Sequence, residues 1–271
     1  MEVNPSTGLN APDGLGPRPS TISVSIVSHG QMALVLPLLH DLERLHLHTP
    51  LEVILTLNVP EAMPCSADDF VFSLHVVRNA QPMGFGANHN QALAQARCAT
   101  VCVLNPDIRM AQNPFPGLLA QLEDPLVGLV APAIYNPAGQ LEDSARRFPT
   151  PWGIAAKAIR RKHQPSRAPT HPETVFYPDW VGGMFMVLST ALYRSVGGFD
   201  EKFFLYYEDV DLCARIRLRG LQIALLPHQG VTHDAQRSSH TQHRYLRWHL
   251  SSMLRFFCSR VFILALWQQR P

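Results

Sequence analysis

Charge is scarce in this chain of 271 residues. Lys, Arg, Asp and Glu make up 16% of it and hydrophobic residues 46%, where typical soluble proteins carry roughly a quarter charged residues. So apolar a chain can bury enough surface to fold, which excludes disorder as its main state. The net charge is only +2, so the molecule as a whole is no nucleic-acid binder. Cysteine gives no framework either. Cys65, Cys98, Cys102, Cys213 and Cys258 are odd in number and include no paired Cys-x-x-Cys, which reads as buried thiols in a reducing compartment rather than disulfides or zinc ligands. The start of the chain has Glu2 followed by Pro, Gly and Ser with no apolar run, so no signal peptide is indicated. Nowhere do about 18 uncharged apolar residues run together, so no spanning helix is indicated. The chain reads as cytoplasmic.

The small net charge conceals an asymmetry. Ala235 to Pro271 holds six arginines and no acid, so with +2 for the whole chain the first 234 residues carry net −4. In this tail Tyr245, Trp248, Phe256, Phe257 and Phe262 interleave with Arg244, Arg247, Arg255 and Arg260. Two readings stand side by side: a core-packing helix with solvated arginines, or an interfacial helix on anionic lipid.

Residues 1–20 hold four prolines and read as a disordered leader. A rhythm then begins. Ile22–Ser28, Leu51–Leu57, an alternating Phe70-Phe72-Leu74-Val76 set, Thr100–Leu104 and Val127–Ala131 have strand character. Between them lie Val35, Leu38, Leu39, Leu42 and Leu45 at helical spacing, a helix-like Ala87–Arg97, and a short helix at Pro116–Leu122. Such alternation predicts a doubly wound, mostly parallel α/β sheet, whose ligands bind at the carboxyl ends of the strands. The residues at those ends are His29, Asn58, Arg78-Asn79 and Asp107. Later, basic and proline-rich residues 160–174 predict a mobile loop. An apolar strand within Trp180–Leu188, helices at Ala191–Val196 and Asp209–Arg219, a strand at Gln222–Pro227 and then His233 follow.

Gly84-Phe85-Gly86 invites a dinucleotide reading that fails, because His89 stands where the fingerprint needs its third glycine and the segment follows the third strand. Asn79, Asn88 and Asn90 around it supply amides suited to a base, ribose or diphosphate. Asp107, in Asn105-Pro106-Asp107, is by itself better read as a turn or N-cap residue. The acids Glu208, Asp209 and Asp211 at a helix start suit the helix dipole. Yet Phe203, Phe204, Tyr206 and Tyr207 beside them would make an apolar wall, in which a carboxylate's pKa rises and it can serve as a general base. Asp211, two positions beyond Asp209 and roughly 200° round the helix, cannot share its face. An Asp with a His in oxygen-rich surroundings suits Mg²⁺ or Mn²⁺ bridged to a diphosphate.

Taken in order, these pieces resemble a family. Val181-Gly182-Gly183-Met184, then Gly197-Gly198-Phe199-Asp200-Glu201-Lys202-Phe203-Phe204, then Tyr207-Glu208-Asp209-Val210-Asp211-Leu212-Cys213-Ala214-Arg215, look like the family 2 glycosyltransferases. Among these the chain is most similar to the rhamnosyltransferase-type enzymes of bacterial surface polysaccharides, over roughly residues 21 to 260. The resemblance implies a GT-A-like fold over 21–240, with 241–271 a basic amphipathic helical segment. It implies inverting transfer of a hexose or deoxyhexose, first of all L-rhamnose, from a nucleoside-diphosphate sugar to a glycan or lipid-linked acceptor. By the same resemblance Asp209 is the catalytic base and Glu208 its support. Asp107 and His233 are metal ligands for Mg²⁺ or Mn²⁺. Ser28, His29, Asn58, Asn79, Gly84, Asn90, Asn105, Asp107, Gly182 and Gly183 line the donor site. Two positions depart from the pattern. Asn105 replaces the acidic motif's first Asp, and Leu57-Asn58 stands where members carry a base-contacting Asp. Two other readings remain open: a sugar-nucleotide nucleotidyltransferase, which wants a Gly- and Lys-rich loop that residues 28–31 lack, and a non-catalytic nucleotide-sugar or glycan-binding scaffold at the membrane.

Overall fold

A computed structural model describes residues 21–148, 174–234 and 243–268. The leader at 1–20 and most of the proposed loop at 160–174 lie outside the described residues. Strands β1 (Ile22–Ser28), β2 (Leu51–Leu57), β3 (Ser73–Arg78) and β4 (Thr100–Leu104) form a parallel block in the order β3-β2-β1-β4. All seven residues of β2 are buried, as strands covered on both faces are in a parallel sheet. Helices α1 (Met32–His46) and α2 (Phe85–Leu93) supply that cover. The one charge within β2, Glu52, is held by Ser23 Oγ at 2.6 Å and by the backbone N–H and Nε of Arg97 at 2.9 and 2.7 Å.

The second half is mixed. After the two-residue β5 (Ile108–Arg109), α3 (Phe115–Gln121) and β6 (Val127–Tyr135), a small antiparallel ribbon pairs β7 (Ala145–Arg146) with β8 (Trp180–Val181). Strand β9 (Phe185–Ser189) then enters antiparallel between β4 and β6. Helices α4 (Thr190–Ser195) and α5 (Glu208–Arg217) lead to β10 (Gln222–His233), which runs parallel to β6 and pairs antiparallel with β5 at the sheet edge. The full order is β3-β2-β1-β4-β9-β6-β10-β5.

Three expected boundaries move. The third strand begins at Ser73 rather than at Phe70, because a capped turn at Ala67–Asp69 delivers the chain there and pairing with β2 starts at Glu52↔Ser73. Phe70 and Phe72 are still buried, stacked on each other at 5.2 Å. Strands β6 and β10 run on past Ala131 and Pro227, where the sequence suggests stops. Their pairing reaches Leu226↔Pro132 and resumes at Gly230↔Ala133. Pro132 has no N–H to donate, so it is tolerated where the partner strand bulges.

The carboxyl terminus is two helices, α6 (His243–Phe257) and α7 (Arg260–Gln268), bent by 61° about Cys258–Ser259. No single described helix is long and apolar enough to cross a membrane. Their inner residues Phe256, Phe262 and Ala265 form a third apolar cluster with Phe148, Phe203, Val210 and Ala214. The tail is therefore packed against α5, the helix that carries the acidic cluster.

Candidate active site

The site lies where strands and turns end on one side of the sheet, and long-range pairing assembles it. The register His233↔Ile108 sets β10 beside the Asn-Pro-Asp turn. The Asp234 N–H donates to the Asp107 carbonyl at 2.8 Å. His233 thereby stands between two carboxylates, with Nε2 3.1 Å from Asp107 Oδ2 and Nδ1 2.8 Å from Glu142 Oε2. Burial alone would lower the ring's pKa, but hydrogen bonds and charge from Asp107 and Glu142 override it and raise the imidazole to about 9. Nothing in the sequence pointed to Glu142, which sits in no motif and meets His233 across 91 residues.

Asp107 Oδ1 is buried with no hydrogen-bond partner. A carboxylate oxygen left bare in this way, beside an imidazole, fits a hard divalent cation such as Mg²⁺ or Mn²⁺. Among the described residues no three His, Cys, Asp or Glu side chains already form a cage. Asp107 and His233 are the residues that would hold such an ion.

The acidic cluster is reached through a strained turn. Tyr206 and Tyr207 both have positive φ, 71° and 68°, a conformation that costs bulky residues of order 1–3 kcal/mol each. Aromatic packing from α6 offsets the strain. Phe204 lies 4.6 Å from Trp248, Tyr206 and Tyr207 meet His249 at 5.3 and 5.5 Å, and Tyr207 meets Phe256 at 5.7 Å. Ser252 Oγ donates to the Leu205 carbonyl at 2.9 Å. These aromatics are the apolar wall expected from the sequence. They also form the hinge that aims the first turn of α5.

That turn presents Glu208 and Asp209. Asp209 Oδ2 accepts from the Gly183 N–H at 3.1 Å and Oδ1 from the Val210 N–H at 2.8 Å. Burial raises its pKa, while the backbone donors and then the nearby Arg146 charge restrain the rise. Glu208 is buried, its Oε2 has no partner, and burial followed by repulsion from Asp209 pushes its pKa well up. Two adjacent carboxyls, Glu208 buried and Asp209 half-buried, resist double ionisation. Asp209, with two backbone donors from other residues, is the better placed of the two to carry the charge, and Glu208, whose Oε2 has no partner, holds its proton the more tightly. Asp211 is bound to Arg215 Nε at 2.8 Å and stands apart from the pair.

Gly182 and Gly183 form the turn opposite. The Gly182 N–H donates to the Ser144 carbonyl at 2.8 Å, which ties the turn to the ribbon carrying Arg146. A Cβ on Gly183 would come within 3.1 Å of the Phe85 ring, so only glycine fits without displacing a neighbour. The Asn105 N–H donates to the Met184 carbonyl at 2.9 Å, joining this turn to the Asn-Pro-Asp segment.

The remaining donor-site candidates divide by what their polar atoms already hold. Ser28 Oγ accepts from the Gln31 N–H at 3.1 Å, and His29 is exposed with Nδ1 3.2 Å from Asn58 Nδ2. Asn58 Oδ1 accepts from Met83 N–H and Asn79 Nδ2, at 2.7 and 3.0 Å, and its Nδ2 donates to the Met83 carbonyl at 3.0 Å. Asn58 and Asn79 therefore latch the loop at 79–84 onto the end of β2. Asn79 keeps a buried Oδ1 without a partner. Asn90 is reassigned. Its Nδ2 donates to Phe199 O and Glu201, and its Oδ1 accepts from Tyr193 Oη and the Phe199 N–H. That saturates the amide, so Asn90 pins the Gly-Gly-Phe-Asp-Glu turn and has no capacity left for a ligand. Gly84 is a packing glycine as well, since a Cβ there would sit 2.7 Å from the Phe204 carbonyl oxygen.

The chain is similar to known proteins in sequence and in fold. A family model described as the N-terminal domain of galactosyltransferase matches residues 167–244, the stretch holding Gly182, Gly183, Glu208, Asp209 and His233. The chain is 28% identical over 189 residues to the rhamnosyltransferase WbbL of Escherichia coli, covering 65% of this chain and 71% of that protein. It is 29% identical over 157 residues to the N-acetylglucosaminyl-diphospho-decaprenol L-rhamnosyltransferase of Mycobacterium tuberculosis, covering 51% of this chain but only 48% of that protein. Among solved structures, GalNAc-T7 with UDP, GalNAc and Mn²⁺ superposes with a TM-score of 0.60 at 16% identity, over 88% of this chain and 47% of that one. The chain has the GT-A fold of glycosyltransferases, and in sequence it is similar to the rhamnosyltransferase-type members of family 2.

Proposed function

We propose that the protein transfers a hexose or deoxyhexose, L-rhamnose first of all, from a nucleoside-diphosphate sugar to a glycan or lipid-linked acceptor, with inversion, in cell-surface polysaccharide synthesis. The observation that carries this reading is Asp209, a half-buried carboxylate with backbone donors on both oxygens, beside a buried Glu208 whose Oε2 has no partner. A mere binder has no need of a base held in this way. The names of the two rhamnosyltransferase relatives support the sugar, and decaprenol in one of those names supports a lipid-linked acceptor.

In this reading the acceptor hydroxyl gives its proton to Asp209 as its oxygen attacks the anomeric carbon. The bond from that carbon to the diphosphate oxygen breaks on the opposite face. Base catalysis of this kind contributes about a hundred- to ten-thousand-fold. Glu208, carrying its proton, donates toward the acceptor and leaves the negative charge on Asp209. A divalent ion, when bound, neutralises charge on the leaving diphosphate; Asp107 and His233 are the residues that would hold it. The 79–84 loop, latched by Asn58 and Asn79, and the exposed His29 flank the place for the nucleoside. The protein would act at the inner face of the cytoplasmic membrane.

The test is incubation with dTDP-L-rhamnose or a UDP-sugar, with and without acceptor and Mn²⁺, following released nucleotide and product. Release with transfer supports the reading. Binding without any turnover would favour the scaffold instead.

A further inference from the structure

The described residues include eleven large hydrophobic side chains that are substantially exposed, and five of them fall on α6 and α7. These are Leu246, Leu250, Leu254, Ile263 and Leu264, between 49% and 65% exposed. The other six are scattered along the chain from Leu47 to Phe204. Leu246, Leu250 and Leu254 recur every fourth residue, so they form one stripe along α6. Arg247, Ser251 and Arg255, each one residue later and about 100° further round, form the next stripe and are exposed too. On α7 the exposed Arg260 shares a face with Ile263 and Leu264 by the same three- and four-residue spacing. The core-facing residues Ser252, Phe256, Phe262 and Ala265 lie elsewhere on the two helices and are buried.

The tail thus has two apolar sides. One packs against α5 and the Tyr206–Tyr207 turn. The other faces water, although exposed leucines in a row normally mark a contact surface. Its charge says what the contact is. From Ala235 onward the chain has arginines and no acid, so the charges that the tail itself sets beside the leucine stripe, Arg247 and Arg255, are all positive. An acidic headgroup layer over hydrocarbon complements that pattern: leucines enter the acyl boundary while arginine stems lie along it with their guanidinium groups at the phosphates. The 61° bend between the helices suits an element lying on a bilayer better than one running through it.

We propose that the outer face of α6 and α7, led by Leu246, Leu250, Leu254, Ile263 and Leu264 and bordered by Arg247, Arg255 and Arg260, is a docking surface for anionic lipid bilayers. The surface stands on these residues alone; its use, bringing the site to a lipid-linked acceptor, rests on the function proposed above. Because the inner face of α6 packs on Phe204, Tyr206 and Tyr207, docking would hold the bilayer close to the turn that positions Asp209.

The experiment is co-sedimentation of the full chain with vesicles of phosphatidylglycerol and phosphatidylethanolamine, against vesicles of phosphatidylcholine alone. Binding is expected on the anionic vesicles, reversed by salt, and weaker by about tenfold or more without anionic lipid, as three arginines near a charged surface imply. The triple variant Leu246→Ser, Leu250→Ser, Leu254→Ser should lose binding while keeping its circular dichroism spectrum and its affinity for nucleoside diphosphate. Failure of the wild-type chain to bind vesicles overturns the proposal, as does equal binding by the folded triple variant. So does equal binding to neutral vesicles. Self-association that the triple variant abolishes, without vesicle binding, would assign the face to a second copy of the chain and also overturn it. Loss of nucleotide binding or turnover by the wild-type chain would count against the function and leave the lipid surface standing.

Discussion

The Gly183 N–H donates to Asp209 Oδ2 at 3.1 Å, joining a glycine turn to the first turn of a helix 26 residues later. The contact fixes the direction of the carboxylate, and it depends on glycine because of the Phe85 ring alongside. Gly183→Ala keeps the amide but presses on the Phe85 ring, which must give way beside the turn. Since a 1 Å misplacement can cost about a hundredfold in rate, kcat should fall by about ten- to a hundredfold while nucleoside-diphosphate affinity stays close to wild type. Steady-state kinetics beside calorimetry would check this, and an unchanged kcat would show that the contact does not position the base.

Glu208 makes a pH-dependent contribution whose sign follows from its raised pKa. A carboxyl raised in the folded state is fully compatible with folding below its unfolded pKa and opposes folding as pH rises through the folded value. Glu208→Gln cannot ionise. Its stability relative to wild type should therefore increase as pH rises above the ordinary carboxylate range, measured by urea denaturation from pH 5 to pH 8. Transfer activity should drop in the same variant. A stability difference that does not move with pH would mean that Glu208 is ionised in the fold or freely solvated.

His233 works in the opposite chemical sense with the same sign. Its pKa is raised from 6.5 to about 9 by Asp107 and Glu142 acting against burial. The stabilisation is complete below about pH 6.5 and is lost as pH rises through about 9, a change on the order of 3 kcal/mol. Chelator-treated wild-type protein should weaken over that window in denaturant titrations, and His233→Gln should lack the slope. Parallel curves for the two proteins would contradict the paired-carboxylate geometry.

Metal binding gives an independent check on the same residues. Titration of Mn²⁺ with nucleoside diphosphate present should show heat for wild type and lose it in Asp107→Ala, whose removed carboxylate includes the bare Oδ1. Undiminished Mn²⁺-dependent binding in that variant would place the ion elsewhere.

Much of the fold was legible because its signals are local. Strands β1, β2 and β4 begin and end where the β-branched runs do, and buried parallel strands read as continuous apolar segments. The antiparallel entry of β9 between β4 and β6 was not legible, since strand order depends on contacts across more than 80 residues. Pro132 and Pro227 misled for a physical reason: a proline ends most strands, but not where it faces a bulge, as Pro132 does, or lies within one, as Pro227 does. At the site, Asp107, His233, Glu208, Asp209 and the glycine pair were recognisable by residue type and order. Glu142 and Arg146 were not, because only the β7–β8 ribbon and the end of β10 bring them in. Asn90 misled because an amide suited to a ligand is equally suited to a turn, and here the turn at 197–201 takes all its hydrogen bonds. The left-handed pair Tyr206–Tyr207 gave no sequence signal, since both residues disfavour that conformation and are held in it by α6.

The central claim is that Asp209 is the base, and Asp209→Asn addresses it most directly. The amide keeps the shape and can still accept from Gly183 while losing basicity. Single-turnover transfer from the nucleotide sugar should fall by about a hundred- to ten-thousand-fold, with donor and Mn²⁺ affinity nearly unchanged. Transfer within about threefold of wild type, less than ~1 kcal/mol of barrier, would contradict the account and place the base elsewhere.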